Sequence, residues 1–581
     1  MKKLRIKFFH WLLIGLCLSL MWACSGDSIP PVDSFDSAQK VLQEKLLPKI
    51  QVDQEIIPDQ VAARYAVDKI SDPLPKLEDF PLYGAQPSND TNTVFIEIFS
   101  STEKGNAQKQ DERWLVDVAE AFNSKKTTVS SGQTIQVGIR NIPSGIAARL
   151  LAAKSAKPAG YTPSNELSLA MLKSEGVPQI MVNPALVPNY PGFLVQSKDY
   201  QELARRGTVT FEQLLDAILA GKLTIGYPNP YASSSALNLL YTVFWRGAGH
   251  TQDKKPLTVG DLQSPQVNSV FDTFQKQVLV TTLTTLDLKE IFIRDQQKLK
   301  AFPLEYQSYA TLKKLPGFEQ TTFVPFGVPH NSPLVGFDWN TSTQQEALKK
   351  FAEFATSAPM QQLAKAQGFE AIDNLKGSDL PPVPSGEVLK AAQSYWKQRK
   401  DGGRTVYMML VIDTSGSMEG DRLNSVKQSL QIASNAINSG NQLGLITFSD
   451  RPKYLLPLAT FDTLQHQRLL AAIDNLKADG NTAMYDGVVT GLAELMERCK
   501  ADPNGQFYLL LLSDGEVTQG LQFVQVKDVL THSGVRIYPI AYGEVNQEEM
   551  KAIAALREAT VKSGTPQNLQ TLLKDLFQTN L

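Results

Sequence analysis

Residues 406–412 form an unbroken apolar run, the pattern of a strand buried on both faces, and deliver Asp413-Thr414-Ser415-Gly416-Ser417 directly at its end. The next apolar positions, Leu423, Val426, Leu430, Ala433 and Ile437, recur at steps of three and four and predict a helix with one buried face. Further strands are predicted at 443–448, 507–512 and 535–542, with helical stretches between them. Together they predict a doubly wound α/β sheet, in which ligands gather at the carboxyl ends of the strands. A similar alternation runs through the middle of the chain: strand-like 94–99 before helix-like 114–122, 135–139 before 145–151, and 223–227 before 235–244. It predicts βαβ units and a largely parallel sheet.

Two stretches interrupt these patterns. Residues 25–91 are dotted with proline (Pro30, Pro31, Pro48, Pro58, Pro73, Pro75, Pro81, Pro87) and carry short helical pieces such as 37–47, which reads as a tether with local structure. Residues 376–404 form a second seam, where Leu380-Pro381-Pro382 and Pro384 precede a helical run at 387–399 that ends at Gly402-Gly403. The expected organisation is a signal segment (1–24), the tether (25–91), a middle domain (92–375), a linker and helix (376–404) and a C-terminal domain (405–581). At 581 residues the chain exceeds the roughly 250 to 300 residues at which one core stops growing, so several folded units are required. A formal net charge of −2 creates no broad field for nucleic acid, so any binding must be local.

The chain opens with Lys2, Lys3, Arg5 and Lys7, followed by an apolar stretch at 8–23 that is short for a spanning helix. Ala23-Cys24-Ser25-Gly26-Asp27 comes next and resembles a bacterial lipoprotein cleavage site, which implies that Cys24 becomes the lipid-bearing first residue. Cleaved or kept as an anchor, the segment places the rest of the chain outside the cytoplasmic membrane, in a bacterial cell envelope. With Cys17 removed and Cys24 acylated, only Cys499 remains, so no intrachain disulfide is expected. Cys499 ends an apolar-periodic helix (Val488, Leu492, Leu495, Met496) and reads as a buried thiol. The histidines (His10, His250, His330, His466, His532) show no metal-ligand spacing, and zinc is not indicated.

The C-terminal motif carries the most chemistry. Asp413, Ser415 and Ser417, with Thr482 in Gly480-Asn481-Thr482 and Asp514 in Ser513-Asp514-Gly515, resemble the metal-ion-dependent adhesion site of von Willebrand factor A (VWA) domains. The resemblance runs over 404–581 and implies that Ser415, Ser417 and Thr482 reach a divalent cation directly or nearly so, while Asp413 and Asp514 act largely through water. Mg²⁺ suits hydroxyls and a few carboxylates because it demands oxygen ligands and keeps some of its waters; Mn²⁺ or Ca²⁺ are the alternatives. The family site leaves one coordination position for a carboxylate of a partner protein. The plain alternative for Asp413 and the serines is capping of the following helix. Asp486 and Glu516 read as loop carboxylates. No nucleophile–base pair, phosphate loop or carboxylate pair accompanies the site, so catalysis is not expected.

Residues 92–373 resemble two-lobed extracellular solute-binding proteins of bacterial importers, a type II periplasmic-binding-protein fold. The likeness rests on the strand ending in Ser100-Ser101, on Gly160-Tyr161-Thr162-Pro163-Ser164, on 223–228 leading to Ser233-Ser234-Ser235, and on Ser357-Ala358-Pro359 through Gly368-Phe369. Ser100, Ser101, Ser164, Ser234 and Ser235 are candidates for a cleft that takes a small polar or anionic solute, because serines at helix N-termini present hydroxyls and free N–H groups; ordinary capping is the alternative. The expected function is a membrane-anchored, metal-dependent adhesion or assembly protein. The competing expectation is a transport or sensing component whose VWA domain couples solute capture to a partner protein.

Overall fold

The computed structural model describes residues 29–67, 74–204, 207–372, 380–543 and 546–581. The signal segment and Cys24 lie outside the described residues. The chain divides into two compact units: one combines the chain up to Tyr65 with Val406–Lys427 and Asn441–Thr565, the other holds Ala66–Thr405 with two C-terminal pieces, Gln428–Gly440 and Pro566–Leu581. Among the described residues no helix is long and apolar enough to cross a membrane.

The first unit begins with the helix Phe35–Val41 and a two-residue strand, β1 (Asp53–Gln54). The second unit follows and has two sheets. One is six-stranded, in the order β2 (Leu82–Gly84), β4 (Thr134–Asn141), β3 (Thr93–Ser100), β5 (Gly160–Thr162), β12 (Leu334–Gly336), β6 (Ile180–Asn183). The other is five-stranded, in the order β11 (Thr321–Pro325), β7 (Pro191–Gln196), β10 (Ala301–Glu305), β8 (Ile225–Pro228), β9 (Val278–Thr282). Chain order fills one sheet, then the other, and returns through β12 to the first, which gives the two-lobed arrangement. The expected strands and helices at 94–99, 114–122, 135–139 and 235–244 fall within β3, Trp114–Ser124, β4 and Ser234–Gly247, and the strand expected at 223–227 overlaps β8, which starts two residues later. The sheets are mixed: β7 runs antiparallel to both β10 and β11.

The helix Gly386–Arg399 is no free linker. Val388, Leu389, Ala392 and Trp396 are buried in the same cluster as Phe193, Tyr227, Phe271 and Val324. Apolar positions recur at steps of three and four in this stretch too, and their partner is the second unit's core rather than solvent.

The first unit is the doubly wound sheet. Its seven strands run β1, β15 (Pro452–Thr460), β14 (Gln442–Phe448), β13 (Val406–Asp413), β16 (Gln506–Ser513), β17 (Arg536–Tyr542), β18 (Lys562–Gly564). β13 lies at the centre, parallel to β14 and β16, and all eight of its residues are buried. The helix Met484–Ala501 packs close against this face through two glycines. A Cβ at Gly487 would lie 2.9 Å from Cδ1 of Phe448, and one at Gly491 would lie 2.9 Å from Cγ of Met409 and 3.1 Å from Cγ2 of Val411. Gly491→Leu is therefore expected to push the helix off the sheet and cost about 1–3 kcal/mol by overpacking, measured by chemical denaturation.

Residues 29–65, expected as a tether, are a working part of this unit. Val32, Ala38, Val41, Leu42 and Leu46 are buried in one cluster with Tyr407, Leu492, Phe507 and Leu530. β1 adds to the sheet edge in parallel with β15, pairing Asp53 with Lys453 and Gln54 with Tyr454. Hydrogen bonds and ion pairs line the segment: Gln43 Nε2 donates to Glu497 Oε1 at 2.7 Å, Arg468 Nε donates to Asp59 Oδ1 at 2.8 Å, and Tyr65 Oη donates to Asp474 Oδ2 at 2.8 Å.

Candidate metal site and polar cleft

The carboxyl ends of β13 and β16 carry the metal candidates side by side, since Ile412 pairs with Leu512 one step before Asp413 and Ser513. Asp413 is fully buried and held at both oxygens: Oδ1 accepts from Ser415 N at 2.8 Å and Oδ2 accepts from Ser513 Oγ at 2.6 Å. Burial pushes its carboxyl above the usual range, the hydrogen bonds from Ser415 and Ser513 oppose that, and the Asp514 carboxylate adds to it. The hydroxyls of Ser415 and Ser417 stand 3.0 Å apart, and Ser417 Oγ donates to Asp514 Oδ1 at 2.7 Å.

Thr482 arrives on the loop ahead of Met484–Ala501. A Cβ built at Gly515 would lie 3.7 Å from Ser417 Oγ and 3.8 Å from Thr482 Oγ1, so both hydroxyls border the same space. Two backbone bonds lace the loops together: Gly416 N to the Gly480 carbonyl at 3.0 Å and Asp479 N to the Thr414 carbonyl at 2.9 Å. The mouth is at Ser417, which is exposed, while Asp413, Ser415, Thr482 and Asp514 are buried. The structure thus brings all five candidates together, beyond what helix capping requires.

Five oxygen side chains, three of them hydroxyls, make a donor set for a hard cation with retained waters, and neither nitrogen nor sulfur enters it. Among the described residues there is no group of three or more His, Cys, Asp or Glu that could hold an ion. Arg422 was not legible as a participant: its Nη1 donates to Asp514 Oδ2 at 2.6 Å. Asp486 serves the neighbouring loop, accepting from Leu521 N at 2.8 Å beneath Gly520, and Glu516 is exposed.

In the second unit the five serines divide. Ser100 Oγ donates to the carbonyl of Ser101 at 3.1 Å. Ser101 Oγ donates to Glu103 Oε1 at 2.6 Å and accepts from Lys104 Nζ. The ammonium of Lys104 is fully buried and also donates to the carbonyls of Thr162 at 3.0 Å and Pro163 at 3.3 Å. Burial drives its pKa down, and Glu103 and Glu305 oppose this. Ser235 Oγ donates to Glu305. Ser164 is buried, but the residue that caps the helix Glu166–Ser174 is Asn165. Ser234 is the first residue of its helix, and Ser233 is the cap.

The residues that join these serines carry no motif. His330 is buried, with Nε2 2.8 Å from Asn165 Nδ2 and 3.2 Å from Asn238 Nδ2, and Nδ1 3.4 Å from Glu305 Oε1. The amide orientations are fixed elsewhere, because Asn165 Oδ1 accepts from Leu167 N and Asn238 Oδ1 accepts from Val328 N. Two donors therefore face Nε2, which must accept, and the ring proton belongs on Nδ1 toward Glu305. Burial would raise the Glu305 carboxyl, but the His330 contact and the Ser235 hydroxyl hold it below its ordinary value. Most of this polarity is spent on internal partners.

The doubly wound unit and its loops match the family model of the von Willebrand factor type A domain over residues 408–576. Residues 112–370 match that of bacterial extracellular solute-binding proteins, so the chain joins a solute-binding domain of that type to a C-terminal VWA domain. A Synechocystis protein, sll0103, is 26% identical over 175 residues, 29% of this chain and 40% of that protein. The inter-alpha-trypsin inhibitor heavy chain H4 of Sus scrofa is 27% identical over 118 residues, 19% of this chain and 12% of that protein. The chain spans under half the length of either relative. Among solved structures, the sulfate-binding protein SubI of Mycobacterium tuberculosis is 16% identical, covering 53% of this chain and 98% of that one with a TM-score of 0.36. A von Willebrand factor type A structure from Catenulispora acidiphila is 20% identical, covering 30% and 42% with a TM-score of 0.27.

Proposed function

We propose that the chain is an extracytoplasmic binding protein, anchored in the bacterial envelope through Cys24, whose VWA domain docks a partner protein through a divalent cation, Mg²⁺ first. The meeting of the Ser415 and Ser417 hydroxyls, with Ser417 donating to the Asp514 carboxylate, supports this reading. Ser415, Ser417 and Thr482 would hold the ion, with Asp413 and Asp514 beside them. A bound Mg²⁺ supplies a Lewis-acidic position for a carboxylate of the partner. Both domains are of binding type, and the proposal assigns the chain no catalytic step.

Titration calorimetry of the soluble chain with Mg²⁺ and Mn²⁺ tests the site. Saturable heat is expected, and Ser415→Ala/Ser417→Ala is expected to weaken binding at least tenfold, a loss of about 1.4 kcal/mol or more, while circular dichroism stays unchanged. A double variant that binds as well as the native chain sinks the reading.

A second reading, solute capture by the middle domain with the VWA domain passing the event to a partner, draws on the buried gathering of Ser101, Lys104, Ser235, Glu305 and His330. It is the weaker one, because most of those groups already have internal partners: Lys104 donates to Ser101, Thr162 and Pro163, and Ser235 donates to Glu305.

A further inference from the structure

The five parallel strands β13, β14, β16, β17 and β18 give the first unit two distinct poles. The metal candidates occupy the pole at the strands' carboxyl ends. The helix Met484–Ala501 starts beside Thr482 at that pole and runs down to the other, ending just before β16 begins at Gln506. Phe523–His532 likewise ends just before β17 begins at Arg536. Cys499 and Gly534 therefore mark the pole opposite the metal site.

The N-terminal segment meets the unit at that opposite pole. Ring atoms of Phe35 lie 3.9 and 4.0 Å from the Cβ position of Gly534, beside Cys499 at 3.4 Å. Gln39 and Gln43 both donate to Glu497, two residues before Cys499. From there the segment climbs the sheet edge: β1 pairs at Lys453, next to the Pro452–Phe448 pair at the carboxyl end of β14, and Tyr65 reaches Asp474. Ile29 already packs against the unit's core, and Val32 is buried in it. Five residue steps separate Cys24 from Ile29, and extended chain covers at most about 3.6 Å per step, so the free length is no more than about 18 Å. β13 alone, with eight residues, separates the poles by roughly 25 Å at about 3.3 Å per residue.

We infer that residues 29–65 dock the VWA unit with its Cys499–Gly534 pole toward the bilayer and its metal site facing away, toward partners that stand off the membrane surface. The leash is shorter than the domain is tall, so the unit cannot turn its metal site to the lipid while the segment stays packed. This inference rests on the reading of Cys24 as acylated, and it adds a direction to the proposed docking.

The test uses the full acylated chain in vesicles carrying an energy-transfer acceptor on the lipid headgroup. In a Cys499→Ser background, a donor dye is placed at Asn504→Cys, in the exposed turn before β16, or at Glu419→Cys, exposed beside the metal site. Transfer several-fold stronger from position 504 than from 419 is the expected result. Equal transfer, or stronger transfer from 419, in a chain whose mass confirms acylation overturns the orientation alone. A chain without the acyl mass, or a Cys24→Ser chain that stays on the vesicles as fully as the native one, overturns the anchor reading and the orientation with it.

Discussion

Asp413→Ala is expected to abolish saturable Mg²⁺ binding and, with it, the thermal stabilisation that Mg²⁺ gives the native chain. The carboxylate is buried with both oxygens occupied, one by the Ser415 amide and one by the Ser513 hydroxyl, and it sets the loop on which Ser415 and Ser417 face the same space. Its removal takes away a negative charge and the brace for two hydroxyl donors at once. An ion present at a hundred times its dissociation constant stabilises the state it binds by about 2.7 kcal/mol, and this is the increment the variant should lose. Differential scanning calorimetry with and without Mg²⁺ measures it. A variant whose transition still rises with Mg²⁺ as the native one does would show that the ion binds elsewhere.

Trp396→Ala should produce the largest loss of stability of any single change proposed. The indole is completely buried, and its Nε1 donates to Tyr227 Oη at 2.7 Å, which in turn donates to Gln275 Oε1 at 2.6 Å. Truncation opens a cavity between Gly386–Arg399 and the second unit's core at a cost of about 3–5 kcal/mol. Trp396→Phe retains most of the ring contact and should lose only the hydrogen bond, about 1 kcal/mol. Urea unfolding followed by circular dichroism separates the two. Equal, small effects would mean that the helix is only loosely packed on the unit.

Much of the VWA unit was legible because its central strands are buried on both faces and so leave continuous apolar runs; β13, β14 and β16 each cover the run that predicted them, and β17 covers all but the first residue of its run. β15 was not, since its residues 452–460 mix lysine, tyrosine and two prolines in an edge-side, half-buried strand. The packing of 29–65 was hidden for a different reason. Its apolar residues Val32, Ala38, Val41, Leu42 and Leu46 find their partners hundreds of positions away, and no local periodicity reports a contact of that range. At the candidate metal site the five candidate residues were legible as a motif, whereas Arg422 was not, because a lysine or arginine on an exposed first helical turn is ordinary. The cleft residues Lys104, Glu305 and His330 carried no motif: Lys104 stands three residues from Ser101 but shows its role only through its burial, and Glu305 and His330 meet Ser235, Asn165 and Asn238 across long separations in sequence.

The path of the chain through the first unit has a consequence for how the protein comes to be. Leu42 and Leu46 are made early, but the surface that covers them, including Leu492 and Leu530, comes nearly five hundred residues later. At about 5–20 residues per second of synthesis, that interval lasts roughly 20 to 100 seconds. During it the segment presents unpaired apolar side chains, and the whole middle region must emerge before the two halves of the sheet unit can meet. Completing this unit therefore requires closure of one very long loop, a step whose entropy cost must be met before its long-range contacts form.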